Sequence, residues 1–411
     1  MLDTIALSLD QRQFEIVSPE RFSPSAAGLL RPPFYPLGSR GNFTCVQNAT
    51  KADFNAGIYL PRLTLTKRKA EAGFALTLRI EFSAPKLIFG NNFDELRSQD
   101  FEQVLTVLNK ALSRMGVRVA EDTLRAAPVS AIHYSKNVAF TDFTTCAMVM
   151  GQLGKIDLSQ RLDLSHTDYR NEGHSIRYHA NTFEVTFYDK MKDLQKARLS
   201  EKRAVEKDYG PQIDLFSAPG TFQKQLEVLR MEVRLGTRAK IRQLMARIGA
   251  EVEPTFAALF DIDIAKRVLA HFWGNVRHEL SLSGPGAASK PEDLIGSLAV
   301  ASKAKARPST LLQQVGWVTL VESVGPRGAK ALLSRHCNPR SWQRLRRAMR
   351  DVRRPRQDSP LGSLAQLDAA LTAFQPIRMR NFQLKPIQGS VPLGQPNERP
   401  AARRRTRQGK K

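Results

Sequence analysis

The stretch Thr182-Phe183-Glu184-Val185-Thr186-Phe187-Tyr188-Asp189-Lys190 puts a phenol and an ammonium two residues apart. A phenol beside a cation is a candidate nucleophile, because nearby positive charge lowers its pKa. Three further stretches carry groups that could assist it: Glu81, His133, and Glu232 between Arg230 and Arg234. Two carboxylates and an imidazole are adequate ligands for a divalent cation held mainly by oxygen, with water or substrate phosphate completing the shell. The chemistry in view is metal-assisted attack by a tyrosine oxygen. Each residue also has an ordinary role. Tyr188 can be a strand-end tyrosine with its ring packed and its hydroxyl in water. Glu232 can belong to a surface ion-pair row, and His133 can hydrogen-bond within a sheet. Glu81 can pair with Arg79 or a cross-strand base.

Strands would have to hold these groups, and alternation of apolar and polar residues is their mark. Phe183, Val185 and Phe187 form one face, so Glu184, Thr186, Tyr188 and Lys190 share the other. In 75–83, Leu76, Leu78, Ile80 and Phe82 face a core and leave Glu81 with Thr77, Arg79 and Ser83. In 128–138, His133 and Ser135 lie opposite Ile132 and Tyr134. In 226–235, Leu229, Met231, Val233 and Leu235 alternate with Arg230, Glu232 and Arg234. Ile5, Leu7 and Leu9 predict another strand, and 58–67 one more. Antiparallel strands set side by side would gather Glu81, His133, Tyr188 and Glu232 on one face of a single sheet.

Between the strands, 84–92 reads as a strand exit and turn, and 17–57, rich in Pro, Gly, Ser and Asn, as loops and irregular strands. Residues 101–115 have amphipathic helical spacing, with Gly116 as the stop. Helical patterns also cover 141–160, 191 to about 207, and 240 to about 280, while 164–178 reads as a hairpin or loop. The expected fold is α+β, a mainly antiparallel sheet with helices packed on one face, over residues 1–280.

A Gly, Pro, Ala, Ser and Lys-rich linker is expected at 281–308. A small all-α, helix-turn-helix-like domain is expected at 309–356: an apolar helix broken at Gly325-Pro326, a second helix, and a third capped by Asn338-Pro339 that carries Arg344, Arg346 and Arg347. A disordered basic tail is expected at 357–411, since 376–411 hold ten Lys or Arg and only Glu398 as an acid.

The whole chain of 411 residues is 42% hydrophobic, enough for one large core and a smaller domain. Its 63 Lys and Arg against 39 Asp and Glu leave a net charge of +24, which predicts a polyanionic partner, nucleic acid first and an anionic membrane surface second. No apolar run approaches the ~20 residues a spanning helix needs, so no membrane role is expected. Met1 to Asp10 alternate like a strand and lack the basic segment of a signal peptide. Cys45, Cys146 and Cys337 show neither disulfide-framework nor metal-knuckle spacing, which predicts a reduced, cytoplasmic setting.

Read together, 78–86 with Gly90-Asn91-Asn92, then 129–134, Phe187-Tyr188-Asp189-Lys190 and 229–234 resemble, in order and separation, the filamentous-phage gene II/gene X replication initiators. The resemblance covers roughly residues 1 to 270, and the C-terminal helical unit is similar to that family's second domain. It implies rolling-circle initiation: a nick in one strand at an origin, a 5′-phosphotyrosine link, a free 3′-hydroxyl primer and later rejoining. It implies Tyr188 as nucleophile with Lys190 beside it, and Glu81, His133 and Glu232 holding a divalent metal, Mg2+ or Mn2+. His133 stands where relatives often carry an aspartate, and the His-hydrophobic-His pair of the broader relaxase group is absent. Arg230 and Arg234 would steady the scissile strand, and Arg344, Arg346 and Arg347 would meet the origin duplex. The implied partners are origin DNA, duplex and single-stranded, and host helicase and polymerase, in the cytoplasm of a bacterial host cell. The competing expectation is a basic DNA-binding regulator with a helix-turn-helix and no chemistry.

Overall fold

A computed structural model describes residues 1–27, 42–70, 73–141, 144–156, 166–170, 174–199, 227–283, 307–333 and 364–378, with a few single positions between them. Its strands are β1 (Leu2–Asp10), β2 (Glu15–Ile16), β3 (Asn42–Gln47), β4 (Arg62–Ala70), β5 (Gly73–Ser83), β6 (Val117–Arg118), β7 (Val129–Ala139), β8 (His166–Arg170), β9 (Ser175–His179), β10 (Phe183–Asp189) and β11 (Val228–Leu235). Its helices are α1 (Lys51–Asn55), α2 (Ala84–Phe89), α3 (Phe101–Arg114), α4 (Glu121–Arg125), α5 (Cys146–Leu153), α6 (Lys190–Leu199), α7 (Arg238–Arg247), α8 (Phe256–Leu259), α9 (Ile262–Ser283), α10 (Pro308–Leu333) and α11 (Ala365–Ala373).

The fold is α+β. One antiparallel sheet of nine strands runs β3-β4-β5-β1-β7-β11-β10-β9-β8, and β2 pairs with β6 apart from it. Period-two alternation puts Ile5, Leu7, Leu78, Ile80, Ile132, Met231, Val233, Val185 and Phe187 in one buried apolar layer. Helices cover that layer. Phe272 and Trp273 of α9 meet Phe183 and Phe187 at 5.3 and 6.4 Å, and Phe256 of α8 meets Phe82 edge-on at 5.8 Å. Two tyrosines of the layer donate to carbonyls of the covering helices, Tyr134 to Leu259 O at 2.8 Å and Tyr178 to Leu153 O at 2.9 Å. Burial of each such large apolar side chain contributes roughly 1.5–3 kcal/mol.

Some expectations change. The strand exit after Ser83 is helix α2, with Pro85 in its first turn and Gly90 closing it at φ 69. Within 17–57, β3 is a regular edge strand and α1 a short helix. At the end of α3, a Cβ on Gly116 (φ 75) would lie 2.4 Å from the Cβ of Ser18, so the expected stop is also a close crossing.

The structureless tail expected from 357 does not extend to 364–378. Leu364, Leu367, Leu371 and Phe374 are buried in the main core, and Trp273 Nε1 donates to Asp368 Oδ1 at 2.7 Å. Apolar spacing in α11 spans only nine residues, and 357–377 hold no Lys or Arg, so the basic composition of 378–411 does not reach it. In α10, Gly325 takes φ 74 and ψ 166, breaking the helix where Gly325-Pro326 predicts. Arg344 is exposed. Arg346, Arg347 and residues 379–411 lie outside the described residues. Among the described residues no helix is long and apolar enough to cross a membrane.

Candidate active site around Tyr188

Register across β10, β11 and β7 builds the site. Tyr188 pairs with Arg230 and Arg230 with Asn137; Thr186 pairs with Glu232 and Glu232 with Ser135; Glu184 pairs with Arg234 and Arg234 with His133. Paired residues share a face, so Tyr188, Arg230, Glu232, Arg234 and His133 all stand on the polar side. Tyr188 and Glu232 are diagonal cross-strand neighbours, a separation an aromatic side chain can bridge. The half-buried phenol donates to Glu232 Oε2 at 3.1 Å.

The other carboxylate oxygen is held from two sides. Arg234 Nε donates to Glu232 Oε1 at 2.7 Å, and His133 Nδ1 lies 3.4 Å from the same atom. Arg234 also reaches Glu184 Oε1 at 3.3 Å. Arg230 is 1% exposed. Its Nη2 lies 3.1 Å from Asp3 Oδ1 and donates to Ser135 Oγ at 2.6 Å, its Nη1 donates to Asn92 O, and its Nε lies 4.0 Å from Glu232 Oε2. Arg230 is thus an internal counterion rather than a surface grip for DNA; Arg234, one third exposed, can still meet a strand.

These neighbours set the charges. Burial alone would raise Glu232, but Arg234, the His133 hydrogen bond and Arg230 outweigh it and hold the carboxyl well below its ordinary value. Burial pushes the Tyr188 phenol well above 10; Arg230 opposes this and Glu232 adds to it. The expected role of Lys190 fails on geometry. Its buried Nζ donates to Asn92 Oδ1 at 3.0 Å and Asp193 Oδ2 at 3.2 Å, and it lies 5.7 Å from the centre of the Tyr188 ring. Burial, helped by Arg230, lowers its own pKa. Tyr188 is therefore a neutral phenol with an ionised carboxylate on its proton.

Glu81 does not join the group. It pairs with Ala6, which pairs with Ala131 of β7, whereas Glu232 pairs with Ser135. Three strands at ~4.8 Å and four residues at ~3.3 Å separate the two carboxylates by about 20 Å. Glu81 is instead 42% exposed and bonded to Arg79 at 3.2 Å, a surface pair. The expected three-ligand set therefore does not form. The carboxylate that does approach is Asp3, and the Arg230 guanidinium already sits between Asp3 and Glu232. Such a donor set, with a guanidinium already between its carboxylates, fits a divalent cation poorly.

Sequence reading missed Asp3, Asn92 and Glu95. Asp3 has the sequence parity of Ile5, Leu7 and Leu9, and Lys136 interrupts the row Ile132, Tyr134, Val138. A charge in an apolar row was the available signal. On the apolar side of the sheet, at the end of β10, ligand atoms of Cys146, Asp189 and Glu227 lie within 4.8 Å of one another. Burial and the two carboxylates push the Cys146 thiol far up, so it is protonated and inert at neutral pH. Compared with protein-family models, curated proteins and solved structures, the chain gives no match.

Proposed function

We propose that this protein cleaves and rejoins one strand of DNA through Tyr188, as an initiator of rolling-circle replication. The observation that carries the reading is the Tyr188 hydroxyl on the ionised Glu232 carboxylate, with Arg230 and Arg234 flanking it on the polar face of one sheet. As the phenol oxygen bonds to phosphorus, its proton passes to Glu232, a general base placed within hydrogen-bond reach. A full phenolate in water would cost roughly 4 kcal/mol at neutral pH, and burial makes it costlier here, so transfer concerted with attack is the economical route. The bond from phosphorus to the 3′-oxygen breaks, and that oxygen takes a proton from solvent. The product is a 5′-phosphotyrosine, which a free 3′-hydroxyl can reverse. The part-exposed Arg234 guanidinium suits the growing charge on the phosphate oxygens.

On this reading the polar face at Tyr188 and the part-exposed Arg234 receives the single strand, and the helical unit with Arg344, Arg346 and Arg347 meets origin duplex. The freed 3′-hydroxyl primes a host polymerase behind a host helicase. The test is incubation with labelled supercoiled origin DNA and magnesium or manganese, then a denaturing gel: a covalent protein–DNA adduct supports the reading, and its absence with every candidate origin removes it.

A second reading is a non-enzymatic DNA-binding regulator. The raised pKa of the Tyr188 phenol favours it, as does the net charge of +24. Salt-dependent binding without any adduct is its signature.

A further inference from the structure

Beyond Ser135, whose N–H goes to Met1 O, β7 has no β1 neighbour, and the loop after α2 takes that place. Glu95, 4% exposed, binds there through both carboxylate oxygens. Oε1 accepts the Asn137 N–H at 2.6 Å, and Oε2 accepts Lys136 Nζ at 2.7 Å and the Ile377 N–H at 2.9 Å. The Glu95 N–H donates back to Ile377 O at 3.0 Å, closing a two-way bond between loop and C-terminal segment. The loop is stiff. Asn91 Oδ1 accepts from the N–H groups of Phe93 and Asp94, and Phe93 O accepts from Asn137 Nδ2 at 2.7 Å. Within it, Asn92 offers its backbone oxygen to Arg230 and its side-chain oxygen to Lys190.

The segment that closes on Glu95 is anchored on both sides. Phe374, 4% exposed, takes a left-handed φ of 53 and turns the chain out of α11. A non-glycine residue is strained there, and its packing must offset that strain. Ile377 lies on a cluster of Phe93, Met191, Leu194 and Val228, and Arg378 bonds Asp100 at 3.1 Å while covering the Phe89 ring at 4.1 Å.

We propose that residues 374–378 are a clasp on the 91–95 loop, and that this loop positions Arg230 beside Tyr188 through the Asn92 backbone oxygen. Its catalytic consequence rests on the nucleophile reading above. Chain that follows α10 in sequence thus bears on the loop whose Asn92 oxygen meets Arg230. Ile377 bonds Glu95 and Arg230 bonds Asn92, and the turn held by the Asn91 side chain joins the two residues along the chain.

The test uses the full chain. Ile377→Pro removes the N–H of the two-way bond. Hydrogen exchange in peptides spanning 91–97 and 228–232 should quicken at least tenfold, with β4 and β5 unchanged. The adduct rate should fall tenfold or more at unchanged affinity for single-stranded DNA. Asn91→Ala, which frees the turn presenting the Asn92 carbonyl, should lower the adduct rate without speeding exchange in 364–378, and Asn91→Asp, which keeps the acceptor, should restore part of it. Should Ile377→Pro quicken exchange throughout the sheet, Glu95→Gln is read by the same criteria. Release of 364–378 with wild-type exchange at 91–97 and 228–232 would overturn the clasp. A wild-type chain that forms no adduct removes the nucleophile reading instead, and the exchange pattern still decides the clasp.

Discussion

The Tyr188 hydroxyl donates to Glu232 Oε2 at 3.1 Å, and the proton it would have to lose therefore already points at an ionised acceptor. Tyr188→Phe removes the attacking oxygen and one hydrogen bond worth about 1 kcal/mol. The expected outcome is no adduct and no nicking on a denaturing gel, with DNA affinity within about twofold of wild type. Cleavage that persists in this variant rules out the nucleophile.

Glu232→Gln keeps the shape and one acceptor but removes the base, and a loss of about 10²–10⁴-fold in adduct rate is expected. Glu232→Ala is harsher. It leaves Arg230 without one of its two carboxylates and should destabilise by about 3–5 kcal/mol in urea unfolding. An adduct rate in Glu232→Gln equal to wild type would make the carboxylate structural only.

Two pH dependences follow from the same pair. Glu232 is held well below its ordinary value when folded, so the unfolded chain takes up a proton that the folded chain refuses. The stability it adds is present above the unfolded pKa of about 4.3 and is lost as pH falls toward the folded value. The urea midpoint of wild type should drop between about pH 5 and pH 3 more steeply than that of Glu232→Gln. The adduct rate should be flat from about pH 6 to pH 9, because Glu232 stays ionised and Tyr188 neutral throughout. A tenfold rise per unit across that range would mean free phenolate attacks.

Asp3→Asn takes the buried charge from Arg230 and should cost more than 1 kcal/mol and at least tenfold in adduct rate. Glu81→Gln should change both by little, as befits an exposed pair. The reverse ranking, measured side by side, would restore Glu81 to the site.

Leu367→Ala and Leu371→Ala should each destabilise the nine-stranded sheet by about 2–5 kcal/mol, the cost of a cavity in a packed core. Thermal unfolding of full-length variants measures this. Unaltered melting would return 364–378 to the status of a tail.

Alternation in sequence was enough to place Tyr188, Glu232, His133 and the two arginines on one face, because parity is fixed along each strand. It could not say which strands are neighbours. Glu81 has the correct parity but lies on β5, with β1 between it and β7, so its face is right and its distance wrong. Burial also reversed the inference about Lys190. Two residues of spacing suggested a cation acting on Tyr188, whereas Asn92 and Asp193 draw the ammonium to themselves. Leu367 and Leu371 were hidden because a four-residue repeat within nine residues is too short to mark a helix by its period alone.

Strand β1 is made before both of its partners, yet it lies inside the sheet, with Thr4 opposite Ser83 and Leu2 opposite Tyr134. During synthesis one of its edges stays open until β5 emerges and the other until β7 does. The strands bearing Tyr188 and Glu232 can join only after that, onto the far edge of β7. Growth of the sheet is therefore slow and dominated by distant pairings, and a chain stalled before β7 exposes an apolar strand edge that can recruit a neighbour.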